Sequence, residues 1–236
     1  MGASILIAAP PPGRRERRKA VTRAELILAG RRLFSEKGLY ESRVEDLTRM
    51  AGIAKGTLYQ YFWNKEDLIQ AVVAIGFEDL GRLLAAEVHG ARTLAGRTAR
   101  IADAHLAFFA ENPDLMRIFH QVRGMLKFDH AERAPLRVIL RRHLDLLTAL
   151  LDVESTSAGP GLARRREIAV LLFGSVSGIT SVHAAVEMDR PGPGVRKALG
   201  PALAAAAAAL LDGGASRRQG GRGAGGRRPR TRHATL

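Results

Sequence analysis

The chain has 236 residues, a formal net charge of +14 and 46% hydrophobic residues, which suits a small domain followed by a larger one and excludes a disordered polymer. Cysteine is absent, so disulfides, thiolate metal sites and cysteine nucleophiles are excluded. The charge sits at the ends: between Arg14 and Arg23 six cations face one acid, Glu16, and seven arginines lie between Arg217 and Arg232, leaving +2 for the sequence between.

Met1 to Pro12 places an apolar run before its prolines and its positive charges after them, the wrong order for a secretory signal. Leu6 occupies the position where a myristoylation motif needs Ser or Thr. Residues 1–19 are therefore expected to form a disordered basic leader, whose arginines could track nucleic-acid phosphates or enter a neighbouring groove. From Thr22 to Lys37 the stripe Leu26, Ile27, Gly30, Leu33, Phe34 predicts a first helix, stopped by Gly38.

Ser42 with Glu45 three residues on reads as a capping box, so a second helix is expected from about Arg43, with Val44, Leu47 and Ala51 on one face. Gly52 supplies a turn and Ile53 plugs its corner. Ala54 to Tyr61 then leaves room for about two helical turns, a size the major groove of duplex DNA, roughly 12 Å wide, can receive. Asn64 and Asp67 cap a long helix opening at Lys65. Two short helices joined by a glycine turn outline a helix-turn-helix. Thr57, Tyr59 and Tyr61, on a helix too short to bury them all, and the Lys65 ammonium suit phosphate oxygens, and Arg43 is a further phosphate candidate. Trp63 is expected to seat the long helix against the small domain.

These residues carry a resemblance. Leu26-Ile27, Leu33-Phe34, Gly38, Val44-x-x-Leu47, Ala51-Gly52-Ile53, Gly56-Thr57-Leu58-Tyr59-x-Tyr61-Phe62 and Lys65-Glu66-x-Leu68 together resemble the DNA-binding domain of the TetR family of bacterial regulators, over about a fifth of the chain. The resemblance implies that Tyr59 and Lys65 grip backbone phosphates, that Lys55, Thr57 and Gln60 face base edges or nearby phosphates, and that Gly56 allows close approach of the backbone. Three positions depart from the family pattern: Ala54 replaces a common serine cap, at a cost of about 1 kcal/mol, and Gly30 and Thr48 replace alanines.

Beyond Leu68 the sequence reads as helical throughout: Lys65 to about His89, Leu94 to Glu111 ended by Asn112-Pro113, a helix from Asp114 weakened at Gly124, one from Pro135 to about Asp152, then about Arg164 to Met188 and Val195 to Leu211. The expected fold is all-α, with a three-helix DNA-binding domain over 20–64, a helical ligand-binding and dimerisation domain over 65–212, and a disordered Gly/Arg-rich tail over 213–236. Ile168 to Val186 lacks acidic and basic residues and could be taken for a membrane span, yet five hydroxyl and imidazole side chains dilute it and no other segment matches it. The preferred reading is a buried helix whose Gly174 and Gly178 let a second copy approach, with Val182, Leu203, Ala207 and Leu210 completing a four-helix dimer interface where the resembled family also dimerises.

The resemblance further implies a cavity for a small hydrophobic or amphipathic ligand; Phe108, Phe119, Met125, His143, Leu147 and Phe173 are candidates to line it, with ordinary core packing as the other reading of each. No metal site is expected, because no paired His or carboxylate spacing supports one, and no cofactor is implied. No nucleophile elbow, Walker loop or HExxH occurs, so no catalytic residue is assigned and an enzyme is disfavoured. The expected function is a cytoplasmic, nucleoid-associated homodimer that binds a palindromic double-stranded operator and is released by a ligand; a ligand-independent nucleoid or division factor with the same head is the alternative.

Overall fold

The computed structural model describes residues 13–127, 133–153, 161–182, 194, 197–206 and 209. The elements run α1 (Arg14–Lys37), α2 (Val44–Ala51), α3 (Lys55–Leu58), α4 (Lys65–Glu87), α5 (Leu94–Glu111), α6 (Pro113–Met125), α7 (Ala134–Leu150) and α8 (Leu162–Val182), and residues 197–206 are helical. Among the described residues there is no strand. The tail 213–236 and the leader up to residue 12 lie outside the described residues.

α1 starts eight residues upstream of the expected Thr22 and takes in Arg14 to Lys19, which were assigned to the disordered leader. The reason is local. Arg, Lys, Glu and Ala are all good helix formers, and Glu16 reaches back to accept the Gly13 N–H at 3.0 Å. The basic arm is thus the exposed first turns of a 24-residue helix, not a loose chain.

The first three helices close on a small core of Leu26, Ile27, Leu33, Phe34, Leu47, Leu58 and Phe62, each at most 4% exposed. The seat of this bundle is α4. Its first turns give it Leu68, Ile69 and Val72, and its later turns give the body Phe77, Leu80 and Leu84, so buried residues of both parts form one cluster. Asn64 caps α4 as expected, accepting the Asp67 N–H at 2.8 Å. Gly30 is needed where α1 meets α4: a Cβ there would lie 2.9 Å from a Leu68 methyl, so a side chain, not a neighbouring backbone, demands the glycine.

A second junction is polar. Arg31 of α1 forms an ion pair with Asp114 and donates to the Asn112 side-chain oxygen at 3.0 Å, while the Leu39 N–H donates to Gln121 Oε1 at 2.6 Å. α6 is therefore fastened to α1 and to the start of the α1–α2 connection. In the body, α8 packs its Ile168, Ala169, Leu172 and Val176 inward, and no helix among the described residues is long and apolar enough to cross a membrane. Gly200 lies close to α5, where a Cβ would meet the Ala99 carbonyl oxygen at 3.2 Å.

The Gly30–Leu68 contact gives a sign test. Gly30→Ala should destabilise the chain by about 1–2 kcal/mol, since the displaced leucine outweighs the gain in helix propensity, whereas the same change in a Leu68→Ala background should stabilise it by filling the vacated space. Urea unfolding of the four proteins measures both.

Candidate nucleic-acid interface

α2 begins with Arg43 at its N-cap, one residue later than the Ser42 capping box implied. Ser42 is 1% exposed and donates its hydroxyl proton to the Gly38 carbonyl at 2.5 Å, so it braces the loop instead of capping the helix. Asp46 takes the reciprocal place expected of Glu45: its carboxylate accepts the Arg43 N–H at 3.4 Å and pairs with Lys37 at 2.9 Å, and the Lys37 ammonium holds that carboxyl below its ordinary range. Gly52 ends α2 at φ 65°, a left-handed conformation in which a Cβ is strained.

α3 is one turn, Lys55–Leu58, shorter than expected. Ala54 at its N-cap contributes no side-chain bond, and after Leu58 the chain tightens, with the Gln60 N–H bonding the Thr57 carbonyl at 3.2 Å and the Tyr61 N–H bonding the Leu58 carbonyl at 2.9 Å. Leu58 and Phe62 are buried and turn inward. That leaves Lys55, Gly56, Tyr59 and Gln60 exposed, with Thr57 half-buried and Arg43 exposed at the head of α2. Nothing lies within 4 Å of a Cβ built on Gly56, so its backbone is open to approach. Lys55 is not free: its ammonium bonds Glu45 at 2.7 Å and holds that carboxyl below its ordinary range, while Glu45 raises Lys55 in return.

Three sequence expectations change here. Lys65 does not face outward; it is half-buried, and its three N–H donors point at the Leu39, Tyr40 and Ser42 carbonyls at 2.9, 3.5 and 3.0 Å, which makes it a clamp on the α1–α2 loop with no donor left for a phosphate. Tyr61 is half-buried with its ring against the core, so packing does use one of the three hydroxyl side chains. Trp63 does not seat α4, being 89% exposed.

Residues 26–72 match the family described as bacterial regulatory proteins, tetR family. This segment belongs to the TetR family. A similar protein, the fatty acid metabolism regulator protein of Bacillus subtilis, is 26% identical over 158 residues, covering 64% of this chain and 78% of that protein. The transcriptional repressor KstR2 of Rhodococcus jostii is 35% identical over 71 residues, covering 30% of this chain and 35% of that protein. Among solved structures, FadR from B. subtilis in complex with stearoyl-CoA superposes with a TM-score of 0.61 at 18% identity, over 80% of this chain and 95% of that one, a likeness of fold.

In the body of the chain the six candidate lining residues do not meet around one cavity. Phe119, His143 and Phe173 converge on Phe77, which stacks on Phe119 at 4.3 Å and lies 4.6 Å from His143 and 6.2 Å from Phe173. That cluster is filled, the void beside it being about 10 Å³. Phe108 packs edge-on against Phe109, Leu147 is fully buried, and Met125 lines a separate recess of about 110 Å³. The larger space is a groove of about 540 Å³ between α4 and α7, floored by Phe77, Ile139, His143 and Leu146 and flanked by Arg82 and Arg142. Phe77 was missed by sequence reasoning. Gly76 and Gly81 on the same helix were the available signal, since a Cβ at either would strike Phe119 or Leu146 at 2.9 and 2.8 Å.

On the outer side of α8, Gly174 has no heavy atom within 4 Å of a Cβ, Gly178 likewise, and Val170 and Val182 are exposed at the same i+4 spacing. Leu203 differs from the expectation: it is 6% exposed within its own chain and so is not available to a second copy. Ala207 and Leu210 lie outside the described residues.

His105 and His143 form a buried pair. The His105 Nδ1–H donates to the Ile101 carbonyl at 2.9 Å, so neutral His105 accepts at Nε2 from His143 Nε2–H at 3.2 Å, and His143 Nδ1 is left as an acceptor with no partner. No group of three metal-ligating side chains occurs among the described residues.

Burial pushes His105 down to about 4 and His143 down to about 3, from an ordinary 6.5. The unfolded chain takes up protons on both as the pH drops through 6.5 and the folded chain does not, so their contribution is complete above that pH and is lost toward pH 4, with a limiting slope of about 1.4 kcal/mol per pH unit for each. Urea unfolding at several pH values should show this fall, and His143→Phe should flatten it by about half. For the clamp, Lys65→Met should lower stability by about 1–2 kcal/mol by leaving carbonyls unpaired, while the slope of log affinity for duplex DNA against log salt stays at the wild-type value.

Proposed function

We propose that this chain is a homodimeric repressor that lays α3 into the major groove at each half of a palindromic operator and is released by an amphipathic small molecule. The observation that carries the reading is the outward set Arg43, Lys55, Gly56, Tyr59 and Gln60 on a helix-turn-helix whose inward side is fully packed. Tyr59 and Arg43 are assigned to phosphates, with half-buried Thr57 beside them, and Lys55 and Gln60 to base edges. Residues 20–64 form the reading head and 65–212 the ligand-binding and dimerisation body, with Gly174, Gly178 and Val182 on the face offered to the second copy. Such a protein does no chemistry on its ligand and works in the cytoplasm, where the chromosome is.

The ligand class comes from likeness in fold and sequence to regulators of fatty acid metabolism, one of them bound to stearoyl-CoA. A fatty acyl-CoA suits the α4–α7 groove, whose floor is apolar and whose rim offers Arg142 to an anionic head group, Arg82 being paired with Asp79 and Glu78 lying beside it. Ligand that prefers one arrangement of α4 and α6 shifts the spacing of the two heads, through the Arg31–Asp114 pair and the α4 seam, and lowers operator affinity by that preference.

Selection from a random duplex pool should return a palindrome; a weak preference for composition alone would favour a nucleoid or division factor instead. With that duplex, a long-chain acyl-CoA should reduce affinity about 10- to 100-fold, and Ala74→Trp, placed in the groove, should abolish the response without altering affinity in its absence. Tight acyl-CoA binding that leaves duplex affinity unchanged would remove the coupling.

A further inference from the structure

Trp63 is the only tryptophan of the chain and, at 89% exposure, the most exposed large hydrophobic side chain among the described residues. Its position makes this unusual. Trp63 precedes the Asn64 cap of α4, where a hydrophobic residue ordinarily staples inward against the fourth residue of the helix, here Leu68. Leu68 is 1% exposed but is covered by others, and the indole turns away.

The backbone beneath it is held on both sides. The Trp63 N–H donates to Asp67 Oδ2 at 3.1 Å, Asn64 accepts from the Asp67 N–H at 2.8 Å, and on the other side Phe62 is buried, with the Arg23 guanidinium 5.1 Å above its ring. An outward indole on a fixed mount is therefore presented at a defined place.

That place is the edge of the reading surface. Leu58 and Phe62 point inward, and the Phe62 N–H bonds the Leu58 carbonyl at 3.1 Å, so the chain keeps a helical turn from one to the other. Tyr59 and Trp63, each one residue further on, are both exposed. A turn of helix centred in a groove about 12 Å wide has each groove wall about 6 Å from its axis, within reach of an exposed side chain at the end of that turn. The indole offers one N–H donor and a flat apolar face.

We propose that Trp63 lies against the sugar-phosphate backbone at the rim of the groove that α3 enters, donating its indole N–H to a phosphate oxygen and laying its ring on the adjoining deoxyribose. It is a positioning residue that fixes the register of α3 without reading bases. The proposal rests on the DNA-reader assignment of α2 and α3.

The test uses the full chain and two unlabelled duplexes, the palindrome recovered by selection and a mixed-sequence duplex, with binding followed separately by gel shift. Because Trp63 is the sole tryptophan, its emission and its quenching by acrylamide report on this one position. On saturation with either duplex the emission should shift and acrylamide quenching should fall at least about twofold. Trp63→Ala should weaken both duplexes by about tenfold, the scale of a hydrogen bond to a charged group, and Trp63→Phe by about threefold, with melting temperatures at the wild-type value.

Unchanged emission and quenching while the gel shift shows saturation would overturn the proposal and leave the DNA reader standing. A Trp63→Ala loss confined to the palindrome would replace the backbone contact with a base contact, and protection of Trp63 without DNA would assign it to a protein contact. If the wild-type chain shifts neither duplex, the DNA reader fails and this contact with it.

Discussion

The structure depends on the buried seam of α4. A four-residue helix such as α3 has no stability of its own, because nucleating a helix fixes several residues for very few hydrogen bonds. It exists because Leu58 and Phe62 are pressed into a core whose far wall is Leu68, Ile69 and Val72. The same helix then supplies Phe77, Leu80 and Leu84 to the body, so the two parts share one rigid element and cannot reorganise independently. Lys65 and Arg31 add polar ties at the two junctions, and both are placed where a shift of α4 or α6 would be felt by the α1–α2 loop.

Charge at the reading surface is more restrained than the net figure suggests. Lys37 is paired with Asp46 and Lys55 with Glu45, so two of the cations nearest the helix-turn-helix already have partners in the free protein. Such exposed pairs contribute little to folding stability, but an acid beside Lys55, the proposed base reader, sets a cost on approaching any duplex that does not offer it a better acceptor. Further positive charge lies on the exposed outer turns of α1, where it serves attraction at a distance more than recognition.

The helices were legible in the sequence because their signals are local: apolar stripes, the Asn64 cap, and glycines at 38 and 52, both of which adopt positive φ. The head as a DNA reader was legible for the same reason, and Tyr59, Lys55, Gln60 and Gly56 stand outward as the pattern implied. What failed depended on three dimensions. Lys65 looked like a free ammonium until the α1–α2 loop brought three carbonyls over it, and Ser42 looked like a cap until its hydroxyl turned back to donate to the Gly38 carbonyl. Phe108, Met125 and Leu147 are apolar and central, which describes core as well as cavity, and only packing distinguishes them. Trp63 broke a local rule, the inward staple, and such breaks gather at working surfaces.

The brevity of α3 limits how much information one chain can extract. Two side chains, Lys55 and Gln60, are candidates for base edges, and a matched base pair is worth about 1–3 kcal/mol, so a single head separates its preferred site from others by a factor of roughly 30 to 20,000. A chromosome presents on the order of a million or more competing positions. One copy is therefore outnumbered by decoys, and in the dimer proposed above selectivity is multiplied by a second head reading the same few letters in reverse and by the stiffness of the duplex between them.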